Sequence, residues 1–359
     1  MKGRLDLGKK RICVIFGGES PEHDISGKSV TSILNNLDKE KYDIDVIGIT
    51  KNGAWYLYEG DYAKIESGAW EKEVSKKAVV SPDGEERALL VFDGDKVTRK
   101  YPDVIFPVLH GEYGEDGTIQ GLFELSHIPY VGMGVPASAN GMDKTNSKIV
   151  FQNAGIPQAD WIVVKEGDDL DEKANEAEKK LGYPCFVKPA RTGSSFGVGK
   201  AGNREEFKSA VENARKFDEK VLVEENIVGH EVECAILGNN LPSASTVGEI
   251  IPEVEFYDFD AKYVDNSTRL QIPAELPEET IEKIREYAVT AFKALDGQGL
   301  SRVDFFVKNS DGSVVLNEIN TMPGFTSISM YPKLWGAVGV PYAELLDKLI
   351  ELAEKRVKR

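Results

Sequence analysis

Apolar residues along this chain fall into two rhythms, short unbroken runs and longer stretches with helical spacing. The run from Arg11 to Phe16 is a nearly continuous apolar strand that stops at Gly17-Gly18, and from Ser29 to Leu37 the apolar positions recur every three to four residues. A buried strand, a glycine turn and a helix open a doubly wound α/β unit. A second strand is predicted at Ile44–Ile49 and a third at Val104–Val108, which runs into His110-Gly111. Between them, residues 54–101 hold strand-like fragments and polar turns that suit a sheet edge or an insertion. Ligands of such sheets gather at the carboxyl ends of strands, so the loops after Phe16 and Leu109 are candidate walls of a site.

Composition shifts near Tyr130–Pro136, where a first boundary is placed, giving units at 1–132, 133–226 and 227–359. The pattern then predicts a helix over Lys144–Ala154, a strand at Trp161–Val164, a charged helix over Asp171–Leu181 and a strand at Cys185–Lys188. Further strands follow at Val221–Glu225 and from Glu231 onward. The segment Glu255–Thr268 is long, polar, aromatic and aperiodic, as a lid would be. An amphipathic helix over Glu278–Leu295 precedes two Val-, Ile- and Phe-rich strands, Ser301–Val307 and Val314–Asn320, joined by the turn cluster Asn309–Ser313. A last helix, Tyr342–Lys358, is expected to end in a basic turn that suits its dipole.

Totals narrow the functional classes. A chain of 359 residues, 29% charged and 41% hydrophobic, describes a globular protein of two or three domains. A net charge of −16 argues against nucleic acid or an anionic membrane as the main partner. The three cysteines, Cys13, Cys185 and Cys234, sit in apolar runs and read as reduced core thiols. Neither a secretory signal nor an apolar run of membrane-spanning length is found, so a cytoplasmic location is expected.

Four stretches carry candidate chemistry. If the turn of the late hairpin centres on Asp311, Asp304 faces Glu318 and Arg302 faces Asn320, and alternation puts all four on one face. Two carboxylates and an amide oxygen together are a hard donor set that suits Mg²⁺. The loop Gly17–Ser26 carries Glu22, placed to meet a cation such as a substrate amine, or else a helix cap together with Ser20. In Leu109–Thr118, His110 stands at a strand end, and the helix Ile119–Leu125 has Asp116 or Thr118 as its cap. Lys188-Pro189 followed by Gly193-Ser194-Ser195 and two further glycines offers free amides, hydroxyls and a point charge to phosphate oxygens. With Val221–Glu225 these complete a nucleotide cleft in which the strand backbone and Glu224 meet adenine and Glu231 the ribose. Gly132, Gly134 and Ala137 only mimic a dinucleotide fingerprint, because Pro136 intrudes, and a Walker A loop is absent.

Taken together, the motifs Gly17–Ser26, His110-Gly111 with Gly114–Gly117, Met142-Asp143-Lys144, Lys188-Pro189 with Gly193–Ser195, Ala261-Lys262-Tyr263, Arg302-Val303-Asp304 and Asn317–Thr321 through Met330 resemble the ATP-grasp superfamily. Within it, they are similar to the D-alanine–D-alanine ligases over nearly the whole chain. The resemblance implies three α/β domains with an N-terminal doubly wound parallel sheet, and ATP held between the central and C-terminal ones. It implies synthesis of D-alanyl-D-alanine for peptidoglycan through a D-alanyl phosphate, and a homodimer. By position, Lys144, Lys188, Ser195, Glu224, Glu225, Ile227 and Glu231 would hold ATP, and Asp304, Glu318 and Asn320 two Mg²⁺ ions, with Mn²⁺ an alternative. Glu22 would take the first ammonium, Arg302 and Gly324 would steady the acyl phosphate and the later oxyanion, and Ser194 with Tyr263 would close the lid against Glu22. His110, Lys262, Ser329 and Met330 would contact substrate, the last two at the second carboxylate.

Relatives that make D-alanyl-D-lactate or D-alanyl-D-serine share most of these motifs. Tyr263 and Met330 resemble the dipeptide-forming type, whereas Asp45–Thr50 and Trp55-Tyr56 also look like the D-serine ligases. A nucleotide-binding regulatory module without turnover is the reading from another class. It leaves Arg302, Tyr263 and Ser329 without a task, since holding ATP needs none of them.

Overall fold

In the computed structural model, which describes residues 8–252 and 268–356, the first apolar run is β1 (Lys10–Gly17), buried almost throughout. Helix α1 (His23–Asn36) returns the chain to β2 (Tyr42–Ile49). Gly17 makes that turn with φ +92°, and a Cβ there would lie 2.0 Å from the Ile49 carbonyl oxygen, so only glycine fits. The helix begins six residues before the periodic stretch, because His23, Ser26 and Ser29 are buried polar residues that hide its inward face from an apolar count.

The N-terminal sheet is mixed rather than purely parallel. β1 lies between β2 and β7 (Val104–Leu109), both parallel to it. Residues 54–101 extend this sheet edge with four antiparallel strands, β3 (Trp55–Tyr58), β4 (Lys77–Val80), β5 (Leu89–Asp93) and β6 (Lys96–Lys100), and a one-turn helix, α2 (Ala63–Glu66), sits between β3 and β4. The β2–β3, β4–β5 and β5–β6 connections are too short for a parallel crossover, which explains the antiparallel pairing there. Beyond β7, α3 (Thr118–Ser126) follows Gly117; Asp116 Oδ1 accepts from the first helical N–H, that of Thr118, at 2.9 Å, as expected of it, and Gln120 Oε1 accepts from Gly117 N at 3.1 Å.

Two antiparallel sheets follow. After α4 (Val135–Met142) and α5 (Lys144–Asn153), the four-stranded sheet β10-β9-β11-β8 is built from β8 (Trp161–Val164), β9 (Cys185–Pro189), β10 (Gly199–Ala201) and β11 (Val221–Glu225). Helices α6 (Leu170–Lys180) and α7 (Arg204–Ala214) cover one face, and Ala174, Phe207 and Val211 form its core with Val187 and Val223. The five-stranded sheet runs β14-β13-β12-β15-β16, with β12 (Gly229–Gly238), β13 (Ser243–Pro252), β14 (Thr268–Gln271), β15 (Gly299–Lys308) and β16 (Val314–Asn320). Beneath it, α8 (Glu278–Ala294) packs Ile284, Ala288 and Phe292, joined by Met133, Ala137 and Phe151 from α4, α5 and the segment before them.

Two closing helices tie the ends of the chain together. α9 (Met330–Ala337) and α10 (Tyr342–Glu354) bury Tyr331, Leu334, Leu345 and Leu349 against Val14, Phe16 and Phe106 of the first sheet. α10 stops at Glu354, so Lys355 and Arg356 of the basic turn expected at its end lie beyond the helix, and Lys358 lies outside the described residues. All three cysteines are buried and free, and burial pushes each thiol well above its ordinary range. Among the described residues no helix is long and apolar enough to cross a membrane.

Candidate active site

One cavity of about 650 Å³ is lined by strand residues of the two antiparallel sheets and, from the N-terminal unit, by Glu22, Ile25, His110 and Glu115 of α1 and the loops. In its C-terminal wall, Arg302 of β15 pairs with Asn320 of β16, and Asp304 pairs with Glu318. Past this point the ladder shifts by one residue, with Phe305 opposite Leu316, which leaves Asn317 as a bulge. Without that extra residue Glu318 would face Val303 and point into the core. The bulge is thus what sets both acidic side chains on one side.

Arg302 answers part of the negative charge. Its Nε and Nη2 donate to the two oxygens of Asp304 at 2.8 and 2.7 Å, and Asn320 Nδ2 donates to Asp304 at 3.0 Å. Asp304 is buried behind Arg302, whereas Glu318 and Asn320 open on the cavity. Because Asn320 turns its nitrogen to Asp304, its oxygen remains for a ligand. No three His, Cys, Asp or Glu side chains among the described residues gather as a self-sufficient metal cluster. This donor set therefore fits a hard cation that is shared with phosphate oxygens, the usual manner for Mg²⁺.

The wall formed by the four-stranded sheet centres on Glu224 of β11. Lys148 Nζ lies 2.6 Å from one of its oxygens and Lys188 Nζ 2.7 Å from the other. Burial would raise the Glu224 carboxyl, but Lys188 and Lys148 overcome it and hold the group at about 2. Burial would likewise lower Lys188, yet Glu224 and the more distant Glu318 and Glu231 raise it above its ordinary value. Lys188 also reaches Asn317 Oδ1 at 3.5 Å, across from its own sheet to the hairpin. Lys144 donates to the Thr192 carbonyl at 2.8 Å, which ties α5 to the Gly-Ser loop.

Glu22 occupies the cap position of α1 yet makes no capping bond with its side chain. Its carboxylate instead accepts from Ser194 Oγ of the Gly-Ser loop. Beside it, His110 is buried with both ring nitrogens engaged. Nδ1 faces the Met322 carbonyl at 3.1 Å and must donate, so Nε2 accepts from Ser29 Oγ at 3.3 Å. Burial lowers the His110 pKa, so the ring stays neutral. Glu115 accepts from Gly111 N at 2.9 Å and Met322 N at 3.0 Å. Burial and the nearby Glu22 raise its carboxyl to about 8. Opposite, Ser329 occupies the cap position of α9 without a side-chain capping bond, and its Oγ accepts from Thr326 N at 3.0 Å, close under Gly324.

Of the residues expected at the site, Glu22, His110, Lys144, Lys188, Ser194, Ser195, Glu224, Glu225, Ile227, Glu231, Arg302, Glu318, Asn320, Gly324, Ser329 and Met330 line this cavity, and Asp304 stands directly behind it. Lys262 and Tyr263, with most of the expected lid, lie outside the described residues. Pattern reading passed over Lys148, Glu115, Glu233 and Asn317. Lys148 is one helical turn from Lys144 and Glu233 two strand positions from Glu231, so the periods of helix and strand already place each beside a named residue.

Two antiparallel sheets closing on a shared cleft, with a lysine pair, a Gly-Ser loop and an acidic hairpin, define an ATP-grasp enzyme. Profiles of the D-ala D-ala ligase N-terminus and C-terminus match residues 11–133 and 150–351. A D-alanine–D-alanine ligase of Acetivibrio thermocellus is 54% identical over 97% of this chain and 96% of its own. One of Ruminiclostridium cellulolyticum is 53% identical over 98% and 96%. Among solved structures, the VanG D-Ala:D-Ser ligase of Enterococcus faecalis superposes with a TM-score of 0.87 at 40% identity, covering 96% of this chain and 100% of that one. The D-alanine–D-alanine ligase of Coxiella burnetii gives 0.85 at 37%, covering 97% and 94%. The chain belongs to the D-alanine–D-alanine ligase family, a family of ATP-dependent ligases.

Proposed function

We propose that this chain joins two D-alanines, using ATP, to give D-alanyl-D-alanine for peptidoglycan, and that the cavity residues divide the work as follows. Lys144, Lys188, Ser195 and the β11 edge with Glu224, Glu225 and Ile227 hold the nucleotide, and Glu231 the ribose. Asp304, Glu318 and Asn320 hold two Mg²⁺ ions against the phosphates. The metal, when bound, neutralises the charge that keeps a carboxylate from approaching the γ-phosphate.

Glu22 then receives the first ammonium, which aims that substrate's carboxylate at the phosphate. Ser194 holds Glu22 in place from the loop that covers it. Arg302, facing the same cavity, stabilises the acyl phosphate as it forms, and with the Gly324 amide the oxyanion produced when the second amine attacks. Ser329 and the N-terminus of α9 receive the second carboxylate, and Lys262 and Tyr263 of the lid exclude water from an intermediate that hydrolyses readily. His110, with both nitrogens engaged, acts by orienting the Met322–Gly324 backbone.

The observation that carries this reading is Arg302, Asp304, Glu318 and Asn320 on one face of the hairpin, with Lys188 reaching that hairpin from the opposing sheet. Phosphate release should require both Mg²⁺ and D-alanine. ADP formation indifferent to D-alanine would sink the ligase reading. The VanG neighbour favours D-serine as a second reading for the second substrate. The family likeness supports a homodimer and a cytoplasmic location, the first checked by light scattering.

A further inference from the structure

Glu233 lies in the cleft and has no task in the roles above. It is two positions beyond Glu231 on β12 and sits opposite Asp304 in the β12–β15 register, so all three side chains share one face. Its Oε2 is 2.9 Å from Arg302 Nε, and its side chain is only 4% exposed. The same Nε lies 2.8 Å from Asp304 Oδ1, so the guanidinium stands between two buried carboxylates. Both oxygens of Asp304 are meanwhile taken, by Arg302 and Asn320.

This arrangement creates a conflict that Glu233 resolves. A metal drawn to Asp304 competes with Arg302 for its oxygens, Oδ2 above all because that atom already accepts two bonds, and a guanidinium with no other anion would resist that competition or leave its place. With Glu233 behind it, Arg302 keeps a charged partner throughout. We propose that Glu233 is a positioning residue, a second anchor that holds Arg302 at the reaction centre and so releases Asp304 to the metal. The proposal rests on the metal role given to Asp304 above.

The test is Mn²⁺ binding to the full-length protein in the presence of ADP, followed by electron paramagnetic resonance. Glu233→Gln is expected to weaken Mn²⁺ binding roughly tenfold, in the range of changes behind a metal ligand, and to lower kcat with the KM for ATP nearly unchanged. Glu233→Asp, which keeps the charge, should restore most of the binding, and it answers the question alone if the glutamine variant does not fold. Removing a negative charge could weaken Mn²⁺ by its field alone, and an Arg302→Ala background separates the two effects. There Glu233→Gln should cause no further loss. An equal loss in both backgrounds, or unchanged Mn²⁺ binding in Glu233→Gln, overturns the proposal. Unchanged binding in Asp304→Asn would instead overturn the metal assignment beneath it.

Discussion

Glu224, sealed between two lysines, shows how far a neighbourhood changes one side chain. Its carboxyl is held at about 2, below the ordinary 4.5. The stability it contributes is therefore fully present above pH 4.5 and is lost as pH falls toward 2. Urea unfolding of the protein and of Glu224→Gln across that window should show the gap between them shrinking as the solution becomes more acidic; a constant gap refutes it. Lys148 is 2% exposed, and Lys148→Met leaves Glu224 with one partner, so a loss of about 3 kcal/mol is expected by chemical denaturation. Glu318→Gln should cut kcat by roughly a hundredfold while the melting temperature holds, because a side chain that faces the cavity and is proposed to bind metal contributes to the reaction and little to the core. Near-normal turnover would show that the metal set is misassigned. Glu224 and Glu318 were legible as residue types in strand ends. The partner of Lys148 was not, since its place one turn from Lys144 gives no sign of what it will meet 76 positions later.

Elements decide where those residues point. The hairpin's site register follows from its alternation only because Asn317 bulges out, and nothing in Val314–Asn320 marks that residue as the extra one. Loops carry similar hidden constraints. Gly111 has φ +72°, and a Cβ there would lie 2.6 Å from Glu22 Oε2. Gly111→Ala should thus displace Glu22 and raise the KM for the first D-alanine about tenfold while that for ATP stays constant. Initial-rate measurements with each substrate varied in turn check this, and equal changes in both constants would point to a general loosening. The apolar pattern starts α1 late and runs α10 long for one reason. Buried polar residues and charged termini fall outside an apolar count.

At the scale of the whole molecule, the cavity exists because two sheets face each other and the loops of the N-terminal unit close one end. Contacts between residues far apart in sequence hold it, among them Ser194 to Glu22, Lys188 to Asn317 and Met322 to Glu115 and His110. Such a site orders both substrates relative to one nucleotide. Offered D-alanine, D-serine and D-lactate together with ATP, the enzyme should form D-alanyl-D-alanine as its main product, read by mass spectrometry. A majority of D-alanyl-D-serine would move the chain to the specificity named for the VanG neighbour.

By itself the sequence determined the α/β class, the position of most strands and the identities of the residues around the cleft. Apolar rhythm and the chemistry of glycine, lysine and carboxylate groups are local properties, and they are written in runs of ten residues or fewer. Only the tertiary structure decided the mixed N-terminal sheet, the bulge, the Lys148–Glu224–Lys188 triad and the place of Glu233 beside Arg302. Each of these depends on which distant strand or helix arrives opposite, and a buried charge is stable only where that partner is delivered.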